Sequence, residues 1–339
     1  MPDLTLLRAL FDGLEEGVVY LSGDMVEYEN QTAAALLAGG VPDEVRRGGA
    51  QTLLAGGRLF DLRETLWDGG RLIILTPRLS EAAVERRMPM LTEDLRRQVG
   101  NLSAVTQLLI SSGRRDGGEK QRDYLAIMNR SFYRLLRLIQ SAELACDMAA
   151  GRVKYSPGAL DLGGLCRELS EQVEGLSPEL GVTFSREGTD TLLLTGDAAL
   201  LRQMILELLS NALRGAGAGG KAGLRLTKNG ERAILTVWNS GEGMDLSELE
   251  REDYNPQPTG GLRLGLSAVR HIAALHGGTV MLESRPGEGA RVTVSLNAAP
   301  PEPGAVNTPQ SDPTGGFSPV LVALSGVLPF SAFRPEDLE

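Results

Sequence analysis

Residues 207–213 read "ELLSNAL", a polar pair set into an apolar run. The run is longer than the quotation. Leu200, Leu201, Met204, Ile205, Leu208, Leu209 and Ala212 recur at threes and fours, the period of one helix face. Asp197 stands just ahead of it as an N-cap, where a carboxylate accepts from the free amides of the first turn. Glu207 and Asn211 are four apart, so their side chains share one face beside the buried stripe. Two glycine-rich segments follow, "NSGEGM" at 239–244 and "TGGLRLGLS" at 259–267. Gly241 and Gly243 let backbone approach another group closely, and "LGLS" opens a helix whose first amides are free to hold an anion. Between the helix and the glycines, "AGLRLTKNGERAILTVW" (222–238) is a hairpin on an Asn-Gly turn.

Working outward, residues 156–298 read as one α/β unit. A helix over 162–176 and strands at "VTFSRE" and "TLLLTG" precede Asp197, and "TVMLES" and "ARVTVSL" close the unit. Residues 81–155 read as two long helices around the loop "SSGRRDGGEK". One carries Met88, Leu91, Leu95, Val99, Leu102, Val105 and Leu109, the other Leu125, Met128, Phe132, Leu135, Ile139 and Ala142. Two helices with one apolar seam each bury both seams best as a dimeric four-helix bundle. Residues 1–80 are compact and mixed: a short helix, two strands, a helix ended by Gly39 and Gly40, and a hairpin turning at "DGG". Residues 299–339 are a Pro/Gly/Ser linker followed by the apolar stretch "FSPVLVALSGVLPFSAF". That stretch is too short, and too rich in proline, to span a membrane. It reads as a segment that docks on this protein or a partner, with a disordered tail as the alternative.

Composition narrows the function. The chain has 339 residues, 42% apolar and 23% charged, with a formal net charge of −10. That balance argues against nonspecific nucleic-acid or anionic-membrane binding. No basic n-region opens the chain, and no apolar run reaches the roughly 20 residues of a membrane span, so a cytoplasmic location is expected. Cys146 and Cys166 are expected as buried, reduced thiols. His271 and His276 are the two histidines, and both are expected in surface or capping roles.

The motifs, in their order, carry a resemblance. "ELLSNAL" resembles the asparagine box of histidine kinases and the wider GHKL ATPases. "NSGEGM" resembles the first glycine box, "GGLRLGLSAVRHIAALHGG" the second, and "LESRPGEGARVTVSL" the closing hairpin. "QRDYLAIMNRSFYRLLRLIQ" and "AGRVKYSPGALDL" are similar to the family's dimerisation and phosphoacceptor hairpin, and "GVVYLSGDMVEYENQTAAALL" to a PAS sensor. The resemblance implies an α+β multidomain chain. A small PAS-like α/β sensor spans 1–80, an antiparallel helical hairpin forming a dimeric four-helix bundle spans 81–155, and a GHKL two-layer α/β sandwich spans 156–298. It implies ATP and Mg²⁺ as cofactors. Asn211, Asn239, Gly241, Gly243, Gly261, Arg263, Gly265 and Leu266 would line the nucleotide. Asn211 would give an oxygen to the metal, and Glu207 would act as general base.

The departures from the family matter as much. Aligning "DLRRQVGNLSAVTQLL" puts Glu93 in the slot of the phosphoacceptor histidine. A carboxylate there is a weaker nucleophile and would give an acyl phosphate. Asn239 stands where the family usually has an aspartate for the adenine amino group, and loses the charge-assisted bond. Arg263 replaces a glycine, either clamping a phosphate or filling its space, the second being favoured. Only Asp245–Gly260 separates the glycine boxes, a short lid without phenylalanine. The resemblance, so altered, implies a pseudokinase scaffold that binds ATP and docks a response regulator or another histidine kinase as a homodimer. Two other readings stand beside it: an active ATPase or kinase acting on a partner, and a response-regulator phosphatase. In the last, Asp94 and Gln98, four apart, would do the chemistry, against the alternative that they form a solvated charged face.

Overall fold

The computed structural model describes residues 7–8, 11–12, 16–37, 40–48, 52–55, 58–67, 69–77, 94–106, 108–109, 119–243, 264–299 and 317–334. The chain begins with β1 (Gly17–Ser22), β2 (Met25–Glu29), α1 (Gln31–Leu36), α2 (Asp43–Arg47), β3 (Thr52–Ala55), β4 (Arg58–Trp67) and β5 (Gly70–Pro77). These strands make an antiparallel sheet in the order β2-β1-β5-β4-β3. β1 is apolar at every position from Val18 to Leu21, and its place in the sheet explains why. Val19 and Leu21 face one core with Ala33, Val45, Phe60, Ile73 and Leu75; Val18 and Tyr20 face another with Leu7, Tyr28 and Leu72. A strand covered on both faces reads as a continuous apolar run instead of an alternating one. The second face is shared, since Met281 from the C-terminal half packs against it.

Asn30 ties this unit together. It caps α1 by accepting from the Ala33 amide, accepts also from the Val18 amide, and donates to the carbonyls of Phe11 and Glu16, all at 2.8–2.9 Å. Every hydrogen-bonding position of a fully buried amide is thereby used. α2 and β3 have no counterpart in the sequence reading, which passes from the helix at 31–40 directly to the hairpin.

The middle of the chain holds α3 (residues 94–106) and α4 (Glu119–Ala150). They meet where Leu95 packs with Leu138, Ala142 and Ala145. The seam expected on α4 is not its covered face within one chain. Phe132 and Ile139 are 43% and 46% exposed, and Val99 on α3 is 58% exposed. Ala126 and Tyr133, two turns apart on another face, are buried instead, and Tyr133 is where α4 meets the C-terminal segment.

The C-terminal half continues with β6 (Gly158–Asp161), α5 (Leu162–Leu176), β7 (Thr183–Gly188), β8 (Leu193–Gly196), α6 (Ala198–Ala216), β9 (Lys221–Asn229), β10 (Arg232–Asn239), α7 (Leu264–Leu275), β11 (Thr279–Arg285) and β12 (Gly289–Asn297). Its main sheet runs β11-β12-β10-β9-β7, antiparallel except where β7 pairs β9, and α5, α6 and α7 pack on it. This is a two-layer α/β sandwich. Along β10, Ala233, Leu235, Val237 and Asn239 alternate into the core with half-buried neighbours. The hairpin expected at Asn-Gly shifts by one residue: Asn229 pairs with Arg232, and Gly230, at φ 56°, takes the first central position of the turn.

Of the two roles expected for His276, surface or capping, the structure supports the cap and not the surface. The side chain is 5% exposed. Its Nε2 accepts from the Asp197 backbone amide at 2.9 Å and its Nδ1 lies 2.8 Å from the Ile272 carbonyl, which assigns the proton to Nδ1. Burial lowers its pKa and keeps it neutral. Asp197 caps α6 as the sequence suggests, its Oδ1 accepting from Ala199 and Leu200, while Oδ2 accepts from the Ser156 amide. Of the cysteines, Cys166 is buried and its thiol pushed up to about 12 by burial, whereas Cys146 is exposed, against expectation.

The final described segment forms α8 (Pro319–Leu324) and a 3₁₀ turn at Phe330–Phe333. Val320, Leu321, Leu324, Leu328 and Phe333 join the sandwich core. The segment lies between that core and α4, with Tyr133 stacked edge-on against Phe317 at 5.2 Å and tilted against Phe333 at 5.3 Å.

Candidate functional site

A cavity of about 1260 Å³ opens between the sandwich and helices α3 and α4. Its lining brings together Asp94, Gln98, Glu207, Asn211, Asn239, Gly241, Gly243, Gly265 and Leu266. Glu93, Gly261 and Arg263, and the lid at 245–260, lie outside the described residues.

Each wall has a local cause. α6 presents Glu207 and Asn211 one turn apart because its other face is locked into the core by Leu201, Met204, Ile205 and Leu208. β10 ends at Asn239, whose amide is buried against Gly215 and Gly241. A Cβ on Gly241 would overlap the Gly215 carbonyl oxygen, and one on Gly265 would overlap the Glu207 carboxylate. Gly243 sits at φ 65° against the Arg285 carbonyl, where a side chain is strained in any case. Glycine at these positions lets two loops and the start of α7 close around one space.

The cavity also has a basic side. Arg97, Arg134, Arg137, Arg214 and Arg270 line it, against the acids Asp94, Glu207 and Glu242. Arg97 pairs with Asp94, and Arg137 with Glu207 at 3.2 Å. Arg134 titrates below the usual arginine range, first through burial and then through the like charges of Arg130 and Arg97. Burial followed by the charge of Arg137 lowers Arg214 in the same sense. A half-buried wall crowded with guanidinium groups favours an anionic occupant.

Asp94 and Gln98 do not form a solvated face. Asp94 is ion-paired, and Gln98 is 2% exposed, its Oε1 turned into the protein with no hydrogen-bond partner among the described residues. The sequence reading missed the arginines Arg97, Arg134, Arg137, Arg214 and Arg270, the glycine-rich turn from Gly215 to Gly220, and Ser325 with Gly326 from the C-terminal segment. The glycine turn had a signal in "RGAGAGG" directly after the Asn211 helix. Arg137 had none, being one arginine among several on α4.

Residues 196–300 match the family model of the histidine kinase-, DNA gyrase B-, and HSP90-like ATPase. Curated relatives are sensor proteins and kinases. The sensor-like histidine kinase SenX3 of Mycolicibacterium smegmatis is 26% identical over 218 residues, 62% of this chain and 56% of its own. Sporulation kinase B of Bacillus subtilis is 29% identical over 155 residues, 45% of this chain and 36% of its own. Over residues 196–300 the chain belongs to this ATPase family, which includes the histidine kinases. It spans about half or less of the length of these relatives. A solved catalytic domain, that of the histidine kinase ThkA, is 25% identical with a TM-score of 0.37, covering 44% of this chain and 99% of its own.

Domains of this ATPase type bind ATP with Mg²⁺. The donor set here fits that group: glycine backbone from three segments for close approach, arginines for phosphate, and the Asn211 amide oxygen as a hard ligand. When bound, Mg²⁺ neutralises phosphate charge and orients the terminal phosphoryl group. Among the described residues no three His, Cys, Asp or Glu cluster as a metal site of their own, so the phosphates would supply the remaining oxygens.

Proposed function

We propose that this chain is a nucleotide-binding signalling scaffold of the histidine kinase family that does not phosphorylate a histidine of its own. The observation that carries this reading is the state of Glu207. The cavity gathers the elements of a nucleotide site, yet the one carboxylate beside Asn211 is ion-paired to Arg137 of α4, with both side chains about one-fifth exposed. A carboxylate held this way is a poor general base. The two histidines support the same conclusion. His276 is buried with both nitrogens engaged, and His271 is carried by α7 of the sandwich and not by α3 or α4.

In this reading residues 1–80 form a PAS-like sensor, whose sheet order and covering helices suit an enclosed signal-binding unit. Residues 81–155 form a dimeric four-helix bundle, in which Val99, Phe132 and Ile139 find their cover on a second copy. Residues 156–298 bind ATP with Mg²⁺, and residues 317–334 pack on helix α4 of the bundle. The partner is a response regulator or another histidine kinase, met in the cytoplasm. No described helix is long and apolar enough to cross a membrane. Within the site, Asn239 accepts from the adenine amino group, the Gly241–Gly243 backbone lies along the nucleotide, and Asn211 faces the phosphates. Because Gln98 is buried at the cavity, a phosphatase role for it is not part of this proposal.

Equilibrium titration of the purified chain with Mg-ATP tests the nucleotide half of the reading. Binding in the micromolar to millimolar range is expected, roughly −8 to −4 kcal/mol, and Asn211→Ala should weaken it about tenfold. No binding at millimolar ATP would remove the reading.

A further inference from the structure

We propose that residues 317–334 are a built-in clasp. It holds the ATPase sandwich against α4 with Arg137 closed over Glu207, so that release of the clasp is what frees this carboxylate. The inference goes beyond the nucleotide-scaffold reading and rests on it only for its nucleotide arm.

The clasp is fastened at three places. Its far end is held to α4 by Arg334, paired with Asp123 at 2.9 Å, and by the Phe333 carbonyl, which accepts from Asn129 Nδ2 at 3.1 Å. Its apolar side, with Val320, Leu324, Leu328 and Phe333 all buried, completes the sandwich core. At its middle a single carbonyl does the coupling. Ala323 O accepts from Arg137 Nη1 at 2.6 Å and from Ser210 Oγ at 3.1 Å. Arg137 Nη1 also reaches Ser210 Oγ at 3.2 Å, and its Nη2 reaches Glu207. One guanidinium therefore joins three elements: α4 that bears it, α6 that bears Ser210 and Glu207, and the clasp that orients it.

The turn after Ala323 is shaped for this. Ser325 and Gly326 form part of the cavity wall, and a Cβ on Gly326 would lie 3.0 Å from Arg137 Nη1 and 3.4 Å from Arg214 Nη2. Glycine lets the turn close onto two guanidinium groups that would otherwise face the cavity. A planar fork fixed by a carbonyl on one nitrogen presents its other nitrogen in a set direction, here at Glu207. With the clasp seated, Glu207 is neutralised and the sandwich is fixed on the bundle helix. With it lifted, Arg137 loses its orienting carbonyl and the sandwich loses a wall. A nucleotide that needs Arg137 or Glu207 released binds only the open fraction, and its affinity is reduced by that fraction.

The test uses the full chain and a charge swap at the far end of the clasp, away from the cavity. In Arg334→Glu, hydrogen exchange of residues 319–333 should quicken roughly threefold or more. Glu207 should also become more reactive to a water-soluble carbodiimide, read by mass spectrometry, and ATP affinity should tighten in proportion. Asp123→Arg combined with Arg334→Asp should restore all three. Glu207 labelling needs no nucleotide, so a chain that binds no ATP still decides the matter. A freed segment with unchanged Glu207 labelling overturns the clasp. If Arg334→Glu leaves exchange unchanged, Leu324→Asp, which puts a charge at a fully buried position, displaces the segment. Glu207 as slow to react there as in the parent overturns it equally.

Discussion

Alanine at Gly241 is expected to lower ATP affinity by thirtyfold or more, about 2 kcal/mol, with a loss of stability of similar size. The new Cβ would overlap the carbonyl oxygen of Gly215, and Asn239 Nδ2 lies 3.0 Å away on another side. Neither neighbour is a flexible side-chain end. Gly215 is backbone at the end of α6, and Asn239 is a buried amide at the end of β10. Relief requires the two segments to part, which widens the space in which the adenine would be held. Overpacking of this kind typically costs about 1–3 kcal/mol in stability. The two effects separate in calorimetric titration against urea unfolding. A variant that folds like the parent and binds ATP equally well contradicts the assignment of the Gly241 wall to the nucleotide.

The second large effect concerns Glu16, between the N-terminal sheet and the sandwich. It is 2% exposed, and its Oε2 has no hydrogen-bond partner among the described residues. Burial pushes its pKa up to about 7, a shift only partly offset by backbone hydrogen bonds, including one at Val280. The folded state therefore holds a proton on Glu16 between about pH 4.5 and 7 that the unfolded chain has given up. Stability contributed here is present below pH 4.5, falls as pH rises through that window, and is lost above about 7. Glu16→Gln removes the charge that must be buried. At about pH 8 the variant should be more stable than the parent by about 2 kcal/mol, less than the full linkage because the amide gains an unpaired N–H. Near pH 5 the difference should shrink toward zero. Urea titrations at the two pH values measure it, and a constant difference would refute the linkage. The depressed pKa of His276 works in the opposite sense, losing stability as pH falls below 6.5, but it is common to both proteins and cancels.

What the sequence disclosed follows from how locally each feature is determined. α6 was readable because its core positions keep a strict helical period and Asp197 caps it. The β4–β5 hairpin was readable because "DGG" admits few turns, and Gly69 adopts φ 80° there. α2 and β3 were not, since five- and four-residue elements flanked by glycines carry no period. The burial of His276 was not readable for a different reason. Sequence shows a histidine beside "HGG" but not that the Asp197 amide comes from 79 residues away to occupy its Nε2. The α4 seam shows the same limit: periodicity found an apolar stripe, but Tyr133 on another face is what meets the C-terminal segment. The candidate site divides similarly. The described motif residues line one cavity, whereas Arg137, Ser325 and Gly326 enter it through tertiary contacts made 70 to 186 residues apart.

The central claim is a histidine kinase fold that binds nucleotide without phosphorylating its own histidine. Incubating the purified chain with Mg-ATP labelled in the γ-phosphate, and following retained ligand and covalent label in one sample, tests it most directly. The account predicts label that stays with the folded protein as bound nucleotide and leaves no acid-labile phosphohistidine on denaturation. Stoichiometric phosphohistidine at His271 or His276 would contradict it.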